Sequence, residues 1–394
     1  MVQKNSKTMK NKRSLKIIQW VFIFLSFPSL YAQSLTLKWK LETSGKIVAG
    51  PVANDQLAFI GNEKGAFMAI DHKIGELAWK LETKGNIQAK ALLFDDLVFF
   101  ESANVFYAVE QDTGEEVWSY RLNAPAEKFI HAEKEYLYKL DPFDDKRSSG
   151  FLYKDRIYVG CSNGQVIGLN TKTGKVEFSI ASKDNSPIRS SPIVENDQLY
   201  FGDWNGVVYR YDLKEEQFIW SKNTYREKPY ATFGGIASVF KSYKGKLFYG
   251  ARNHMMNVLW LEDGQKEWTY TDPDGGWMIG DPEIRNDTLY IGGSDNFAML
   301  AFNPTDGKPL WKTKRSKNIY CKPIVTKDWV IYGAGHSYDP RVTGELVVLN
   351  RSNGEAIAQY ETASSVFSSP LITSHDLIIF GSSDGVIYAL YLEE

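Results

Sequence analysis

The sequence predicts an all-β fold, an eight-bladed β-propeller built from four-stranded antiparallel blades. Three observations predict it: a short strand pattern that recurs eight times, a turn glycine followed four residues later by an aromatic residue, and a last copy that lacks its fourth strand. Four short strands in each repeat of about 40–45 residues are typical of propellers. The chain after residue 32 has no sustained helical periodicity. The fold class therefore follows from repetition along the whole chain.

The recurring strand is a run of β-branched and aromatic residues that ends, in most copies, at a glycine. Runs of this kind, bounded by Gly, Asn and Asp, are strand signals. The eight copies are 57–61, 97–100, 157–160, 199–202, 247–250, 289–292, 330–333 and 377–381.

The turn glycine and its aromatic partner mark the outer strand of each repeat. Two copies are degenerate, because Glu216 precedes Trp220 and Gly354 precedes Ala358. A large ring in an outer strand packs between neighbouring blades and buries ~150–250 Å², so we interpret these aromatic residues as core. The regular pairs are Gly75 with Trp79, Gly114 with Trp118, Gly174 with Phe178, Gly264 with Trp268, and Gly307 with Trp311.

The last copy of the repeat, residues 366–392, contains three strands and no outer strand. A ring left open would expose an unpaired strand edge to other chains. Residues 35–43 (LTLKWKLET) resemble the outer strand of the first full repeat, which contains WKLET at 79–83. The N-terminal strand is therefore predicted to complete the last blade.

The first 32 residues have the pattern of a secretory signal peptide. Lysines and one arginine between positions 4 and 16 precede an apolar run at 17–30, and Leu30-Tyr31-Ala32 is a suitable cleavage site. An uncleaved anchor is the alternative, although Gln19, Ser26 and Pro28 interrupt a run that is shorter than the ~20 residues a spanning helix needs. There is no cysteine near the cleavage site, so the sequence does not indicate a lipoprotein. We expect one propeller domain at 33–394, located in the periplasm or secreted.

Charge and cysteine content limit the partners that the chain can have. A formal net charge of −2 gives no reason to expect nucleic acid or an anionic membrane. Cys161 and Cys321 fall in the third and seventh repeats, on opposite sides of the predicted ring. Because a disulfide needs Cα atoms within ~7 Å, we predict two unpaired thiols. We also expect a monomer.

Turns rich in Asp, Asn and Gly superficially suggest calcium loops. They lie at 203–206, 294–296 and 383–385. These residue types supply left-handed backbone conformations and side-chain-to-backbone hydrogen bonds at tight turns, and no twelve-residue loop with a terminal Glu follows them. The turns are expected to be structural, and we assign neither a metal nor a cofactor.

The repeat resembles the pyrroloquinoline-quinone-type repeat of the quinoprotein alcohol dehydrogenase-like propellers. The resemblance extends over residues 35–392 and implies the propeller fold, but not a function, because function depends on sites grafted onto the fold. Besides the tryptophans, it is carried by Ser190-Ser-Pro192, Ser368-Ser-Pro370, Tyr388-Ala-Leu390 and Asp112-Thr-Gly-Glu115.

Two branches of that family have different functions. The quinone-dependent dehydrogenases carry a vicinal Cys-Cys disulfide near the cofactor, calcium ligands and a catalytic Asp, whereas this chain has no adjacent cysteines and is short for that branch. The BamB-like branch consists of non-enzymatic propellers, similar in size and blade number, that dock a partner. Its members are lipoproteins, and this chain has no lipid-attachment cysteine. The BamB resemblance implies a binding platform.

The loops that depart from the repeat fall on one predicted face. Connections from an outer strand to the next inner strand share a side with the turns between second and third strands. Irregular segments occur there at 121–150, 251–257 and 334–344, and loops on a rigid scaffold commonly carry binding. Over blades four to seven this face is predicted to hold ten candidate binding residues: Arg189, Trp204, Phe233, Arg252, His254, Trp277, Asp281, Tyr320, Lys322 and His336. The alternative is that polar residues at inner-strand starts hydrate the central channel.

No catalytic residues are predicted. His254 and His336 belong to non-adjacent blades, which disfavours a shared metal, and Asp281 with Glu283 fits the start of a strand better than an acid–base pair. We therefore expect an exported, non-enzymatic propeller that binds a protein or glycan partner in the cell envelope. The alternative is an oxidoreductase or sensor that holds a small ligand such as a quinone, with Asp281, Arg252 and Trp277 as the main contacts.

Overall fold

The computed structural model describes residues 33–122, 128–131, 134–137, 148–224, 235–337, 339 and 341–393. Within these residues the chain forms eight four-stranded antiparallel sheets and one two-stranded hairpin, without an α-helix. The predicted all-β, eight-bladed propeller is confirmed.

Blades 1 to 7 each run from a short inner strand to an outer strand in sequence order. The chain begins with β1 (Ser34–Glu42), which is discussed with blade 8. Blade 1 contains β2 (Val52–Ala53), β3 (Leu57–Gly61), β4 (Ala66–Asp71) and β5 (Glu76–Glu82). Blade 2 contains β6 (Leu92–Phe94), β7 (Leu97–Ser102), β8 (Val105–Glu110) and β9 (Glu116–Arg121).

An additional hairpin precedes blade 3, inside the long predicted connection at 121–150. It pairs β10 (Lys128–His131) with β11 (Lys134–Leu137). Blade 3 contains β12 (Phe151–Tyr153), β13 (Arg156–Gly160), β14 (Gln165–Asn170) and β15 (Val176–Ala181). Blade 4 contains β16 (Ile193–Glu195), β17 (Gln198–Gly202), β18 (Val207–Asp212) and β19 (Gln217–Asn223).

The second half of the ring repeats the same order. Blade 5 contains β20 (Lys241–Tyr243), β21 (Lys246–Ala251), β22 (Met255–Trp260) and β23 (Lys266–Thr271). Blade 6 contains β24 (Glu283–Arg285), β25 (Thr288–Gly292), β26 (Ala298–Phe302) and β27 (Pro309–Lys314). Blade 7 contains β28 (Ile324–Val325), β29 (Trp329–Ala334), β30 (Gly344–Asn350) and β31 (Ala356–Thr362).

Blade 8 is completed by the N-terminal strand, as predicted. It contains β32 (Leu371–Ile372), β33 (Ile378–Gly381) and β34 (Val386–Glu393), and β1 pairs antiparallel with β34 as its outer strand. The register places Ser34 opposite Glu393 and Glu42 opposite Val386, with a bulge between Leu37 and Trp39. The two ends of the propeller thus share one sheet.

The outer tryptophans join neighbouring blades, and each one packs against the turn glycine of the next blade. The Trp79 indole donates its N–H to the backbone oxygen of Gln111 (2.7 Å). A Cβ on Gly114 would lie 2.6 Å from the Trp79 ring, and Gly114 has a left-handed φ of 73°. Only glycine combines this backbone conformation with room for a flat indole. Corresponding indole hydrogen bonds are made by Trp39, Trp118, Trp220, Trp268 and Trp311.

This docking explains both degenerate repeats. Phe178 of blade 3 faces the turn of blade 4 where Glu216 replaces glycine, and the smaller phenyl ring needs neither the empty space nor an indole acceptor. Ala358 of blade 7 faces blade 8, whose outer strand is β1. Blade 8 therefore has no continuous turn between third and outer strands against which an indole could dock.

The two serines of the Ser-Ser-Pro motif connect strands and blades near the channel. The first one, such as Ser190, donates to the oxygen of Gly202 (2.7 Å) and accepts from its N–H (3.0 Å), which joins inner and second strands. The second one, such as Ser191, accepts the N–H of Ser149 in the preceding blade (2.9 Å). Asp281 takes the place of the second serine in blade 6, since it accepts the N–H of Val239 (2.9 Å).

The two cysteines are buried and form no disulfide with each other, as predicted. Cys321 occupies the place of the first serine, because its sulfur contacts the N–H and oxygen of Gly333 at 3.2 and 3.3 Å. Burial raises the pKa of the Cys161 thiol to about 12. Within the part of the chain that the structure describes, no helix has the length and hydropathy that a membrane crossing needs.

Candidate functional site

The turns between second and third strands and the connections between blades contact each other on one face, which we call the loop face. Trp204, in such a turn of blade 4, donates its backbone N–H to the oxygen of Pro187 in the preceding connection (2.8 Å). Ser294 of blade 6 donates to the oxygen of Trp277 at the same distance of 2.8 Å. The candidate residues from these two kinds of loop are therefore carried by contiguous backbone.

Arginine and tryptophan side chains alternate across blades 4 to 6 and form what we call the Arg–Trp ladder, consisting of Arg189, Trp204, Arg252 and Trp277. The Arg189 and Arg252 guanidinium carbons lie 4.8 and 5.5 Å from the Trp204 ring centroid. Arg252 also lies 4.5 Å from the centroid of Trp277. A cation within about 6 Å of an aromatic face is attracted by the ring quadrupole.

Most of the Arg–Trp ladder is buried. Arg189, Trp204 and Arg252 are 6%, 5% and 2% exposed, whereas Trp277 is half-buried. A Cβ at Gly235 would lie 2.3 Å from the Trp204 ring, so this glycine allows the connection before blade 5 to cover the indole. The three buried members therefore fix the loops, and Trp277 is the member that reaches solvent.

His254 is held beside Trp277 in one tautomer. The Trp277 indole donates its N–H to His254 Nε2 (3.2 Å), and His254 Nδ1 lies 3.2 Å from the oxygen of Gly276. Since Nε2 accepts a proton donor, the proton of the neutral ring must be on Nδ1, from which it is donated to Gly276. This pair of bonds fixes the imidazole ring and orients Trp277.

Tyr320 and His336 belong to a second group, at blades 6 and 7. The Tyr320 hydroxyl lies 3.0 Å from Ser294 Oγ and also contacts Ser337 Oγ, and burial raises the pKa of Tyr320. His336 Nδ1 accepts the N–H of Asp339 (3.2 Å). Both rings are half-buried and lie in hydrogen-bonded loops. The serines that bridge these loops were not recognised from the sequence.

Asp281 and Lys322 lie at the inner ring of strand starts, separate from the Arg–Trp ladder. Lys322 pairs with Glu283 (2.6 Å), which also pairs with Lys241 (3.2 Å). The protein around Lys90 and the positive charge of Lys322 lower the pKa of Lys90. Lys90 was missed because nothing in its own repeat marks it.

The ten predicted site residues therefore fall into separate sets. The structure joins five of them in the Arg–Trp ladder with His254, places Tyr320 and His336 in the neighbouring loops, and places Asp281 and Lys322 at the starts of inner strands. Phe233 lies outside the described residues. In the described ranges no three His, Cys, Asp or Glu side chains form a group that could hold a metal. His254 and His336 each have their own local hydrogen bonds.

Two features define a propeller of the PQQ-type repeat class. Serines hydrogen-bond the inner strand to the second strand, and each outer tryptophan packs against a turn glycine of the next blade. A protein-family model described as outer membrane protein assembly factor BamB matches residues 31–237 and 205–392. The chain belongs to this family.

Curated relatives come from both branches of the superfamily. BamB of Legionella pneumophila (strain Paris) is 25% identical over 191 residues, 45% of this chain and 46% of that protein. BamB of Shewanella oneidensis is 23% identical over 174 residues, 43% of this chain and 42% of that protein. Quinoprotein alcohol dehydrogenase PedH of Pseudomonas putida is 26% identical over 227 residues, 52% of this chain and 35% of that enzyme. Each match spans less than half of the relative's own length.

Solved structures share the fold over most of this chain. BamB from Moraxella catarrhalis has a TM-score of 0.67 at 14% identity, covering 91% of this chain and 99% of that one. Quinohemoprotein alcohol dehydrogenase from Comamonas testosteroni has a TM-score of 0.70 at 12% identity, covering 91% and 77%. At such identities the likeness extends to the fold alone.

Proposed function

We propose that this chain is a non-enzymatic propeller of the cell envelope that binds a protein partner through its loop face, in the assembly of outer membrane proteins. Membership in the BamB family supports the class of function. Location in the envelope is supported by the predicted leader at residues 1–32. None of the relatives described above is named for glycan binding, so the proposal is limited to a protein partner.

One structural observation carries the choice of surface. Half-buried Trp277, His254, Tyr320 and His336 lie in loops that the buried part of the Arg–Trp ladder and the serine bridges hold in place. Aromatic side chains presented by a fixed backbone lose little conformational entropy on binding, which is why they are common in interface hot spots. The buried Arg189, Trp204 and Arg252 support these side chains and are not proposed to contact the partner.

The burial of the Arg–Trp ladder also determines how the proposal should be tested. Substituting Trp204 or Arg252 would remove buried contacts and destabilise the loops, so loss of binding would not identify the interface. A photo-crosslinking residue at position 277 or 336 reports proximity without truncating the buried part of the ladder. The matched control is position 172 in blade 3, where Lys172 is exposed in a turn between third and outer strands, on the opposite face.

We expect ultraviolet irradiation of cells to link positions 277 and 336 to a component of outer membrane protein assembly, identified by mass spectrometry. Position 172 should give no such product. Equal products from both faces, or products from position 172 alone, would show that the loop face is not the docking surface.

A small-ligand oxidoreductase is the second candidate, supported by the match to PedH. The residues expected to contact a quinone have other partners here: Asp281 accepts the N–H of Val239, and Arg252 lies against two indoles. In the described residues no three-membered metal-ligand group accompanies them. These side chains do not fit a quinone with calcium, and no reaction step is derived from them. Thermal stabilisation by pyrroloquinoline quinone with calcium would support this alternative.

A further inference from the structure

The seam between blades 4 and 5 contains a cavity of about 390 Å³. Its volume is within the range of about 300–1,000 Å³ that small-molecule sites occupy. The polar side chains that line it belong to the end of blade 4, the third and outer strands of blade 5, and the turn before β23. They are Lys222, Asn223, Thr224, Asn257, Gln265, Lys266 and Thr269.

Asn257 is one cause of this cavity. Asn257 lies in β22, the third strand of blade 5, opposite Tyr249 of β21. The residue at this position of a third strand faces the preceding blade. In every other blade that position holds an apolar or aromatic side chain that fills the seam. These residues are Met68, Tyr107, Ile167, Tyr209, Leu300, Val347 and Tyr388.

Lys222 is the second cause, on the opposite wall of the same seam. It follows Trp220 by two residues in the outer strand of blade 4, and no other blade has a charged residue at this place. The corresponding residues are Leu41, Leu81, Tyr120, Ile180, Tyr270, Thr313 and Tyr360. One seam thus carries a polar replacement on both of its walls, and the side chains that close the other seams are missing from it.

Tyr249 adds a buried polar group on the same side of blade 5 as Asn257. Its hydroxyl is fully buried and completes no hydrogen bond among the described residues. The side chain of Thr224, which lines the cavity, interacts with this hydroxyl across the seam. A buried hydroxyl thus lies beside the polar lining of this seam.

The charges that line the cavity have one sign. Lys222 and Lys266 contribute two ammonium groups, and no Asp or Glu is among the lining residues. Asn223, Asn257 and Gln265 add amides that both donate and accept hydrogen bonds. Ammonium groups attract an anion, and the amides suit hydroxyl or carbonyl groups next to it.

We propose that the blade 4–5 cavity binds a small anionic molecule that also carries hydroxyl or carbonyl groups. Lys222, half-buried between the two blades, pairs with the anionic group, and Asn257 hydrogen-bonds the neutral part of the ligand. The site is independent of the protein partner proposed for the loop face.

Isothermal titration calorimetry on the full chain without its leader tests this with three probes. Glucuronate carries a carboxylate, glycerol phosphate carries a phosphate, and glucose is the uncharged comparison. At least one of the two anions should bind about tenfold more tightly than glucose, which corresponds to one charge-assisted hydrogen bond. The arm that binds identifies carboxylate or phosphate as the anionic group. Failure of both anions, or equal binding of glucose, overturns the proposal.

The double variant Lys222→Leu with Asn257→Leu gives this seam the residue types of the other seams. The affinity of this variant for the anion should fall by at least about tenfold. Its melting temperature should stay equal or rise, because apolar atoms fill the cavity. Lys38→Leu, at an exposed outer-strand position, is the matched control and should bind as the wild type does. If the double variant does not fold, Asn257→Asp retains the side-chain volume and should weaken binding by charge repulsion. Unchanged binding in either folded variant overturns the proposal.

Discussion

The outer seams repeat one contact around the ring, whereas the loop face uses contacts that occur over a few blades only. At six of the eight seams, from Trp39 on Gly75 to Trp311 on Gly354, an indole of one blade lies on a turn glycine of the next. The Arg–Trp ladder has no counterpart described in blades 1, 2, 7 or 8. Repetition at the outer wall stabilises the ring, and the loops at its rim are thereby left to vary.

The largest effect is expected from removing the strand that closes the outer wall. Deletion of 34–42 unpairs β34 and removes Trp39 and Leu41 from the core between blades 8 and 1. We expect the single cooperative thermal transition followed by circular dichroism to disappear. A synthetic peptide of residues 33–43 added in trans should restore it. A truncated chain that melts like the full one would contradict the closure.

A smaller effect is expected from emptying one regular seam. Trp79→Ala removes the ring that covers Gly114 together with the hydrogen bond to Gln111, and should lower the free energy of unfolding by about 3 kcal/mol. Phe178→Ala should cost about 1 kcal/mol less, since no indole hydrogen bond is lost. Urea denaturation measures both values. An equal or larger loss for Phe178→Ala would show that the indole contact is not what distinguishes the seams.

The smallest effect concerns a loop-face turn and depends on pH. Asp203 accepts the Val207 N–H (2.9 Å) and the Tyr209 hydroxyl (2.8 Å), and burial raises the pKa of Asp203 to about 7. Between about pH 4 and pH 7 the folded protein keeps a proton that the unfolded chain has lost, so stability falls as pH rises through this window.

The variant Asp203→Asn should remove that dependence. Its unfolding free energy relative to the wild type should increase by about 2–3 kcal/mol from about pH 5 to about pH 8. Asp384→Asn, in a half-buried turn with bonds to Val386 and Tyr388, is the matched control. A difference that stays constant with pH would mean that Asp203 is ionised throughout.

The outer wall was predictable from the sequence because its contacts repeat with the chain. The eight copies of the second strand predicted eight blades, and the incomplete last repeat predicted the role of β1. The sequence also predicted that each Trp packs between neighbouring blades, and the structure identifies Gly114 of the next blade as the contact of Trp79. A pattern within one repeat does not show which blade supplies the partner.

The loop face was predictable only in part. The alternation of turns between antiparallel strands placed Arg252, Trp277 and His254 on the same face of the ring. The burial of Arg252, however, depends on Trp204 from another blade. Asp281 has the appearance of a functional carboxylate in the sequence, and it replaces a serine in the hydrogen bonds between inner strands. The polar seam at Lys222 and Asn257 becomes visible only when equivalent positions of all the blades are compared in register.

The shared sheet of blade 8 has a consequence for how the chain reaches its final state. Ser34 donates a hydrogen bond to Glu393 (3.2 Å) across 359 positions of sequence. β1 is synthesised before the other strands of the propeller, and its backbone groups lack their partners until β34 has been made. Ring closure is consequently a late step with a large loop-closure entropy, and a partner that covers the waiting strand edge would protect the unfinished protein from aggregation.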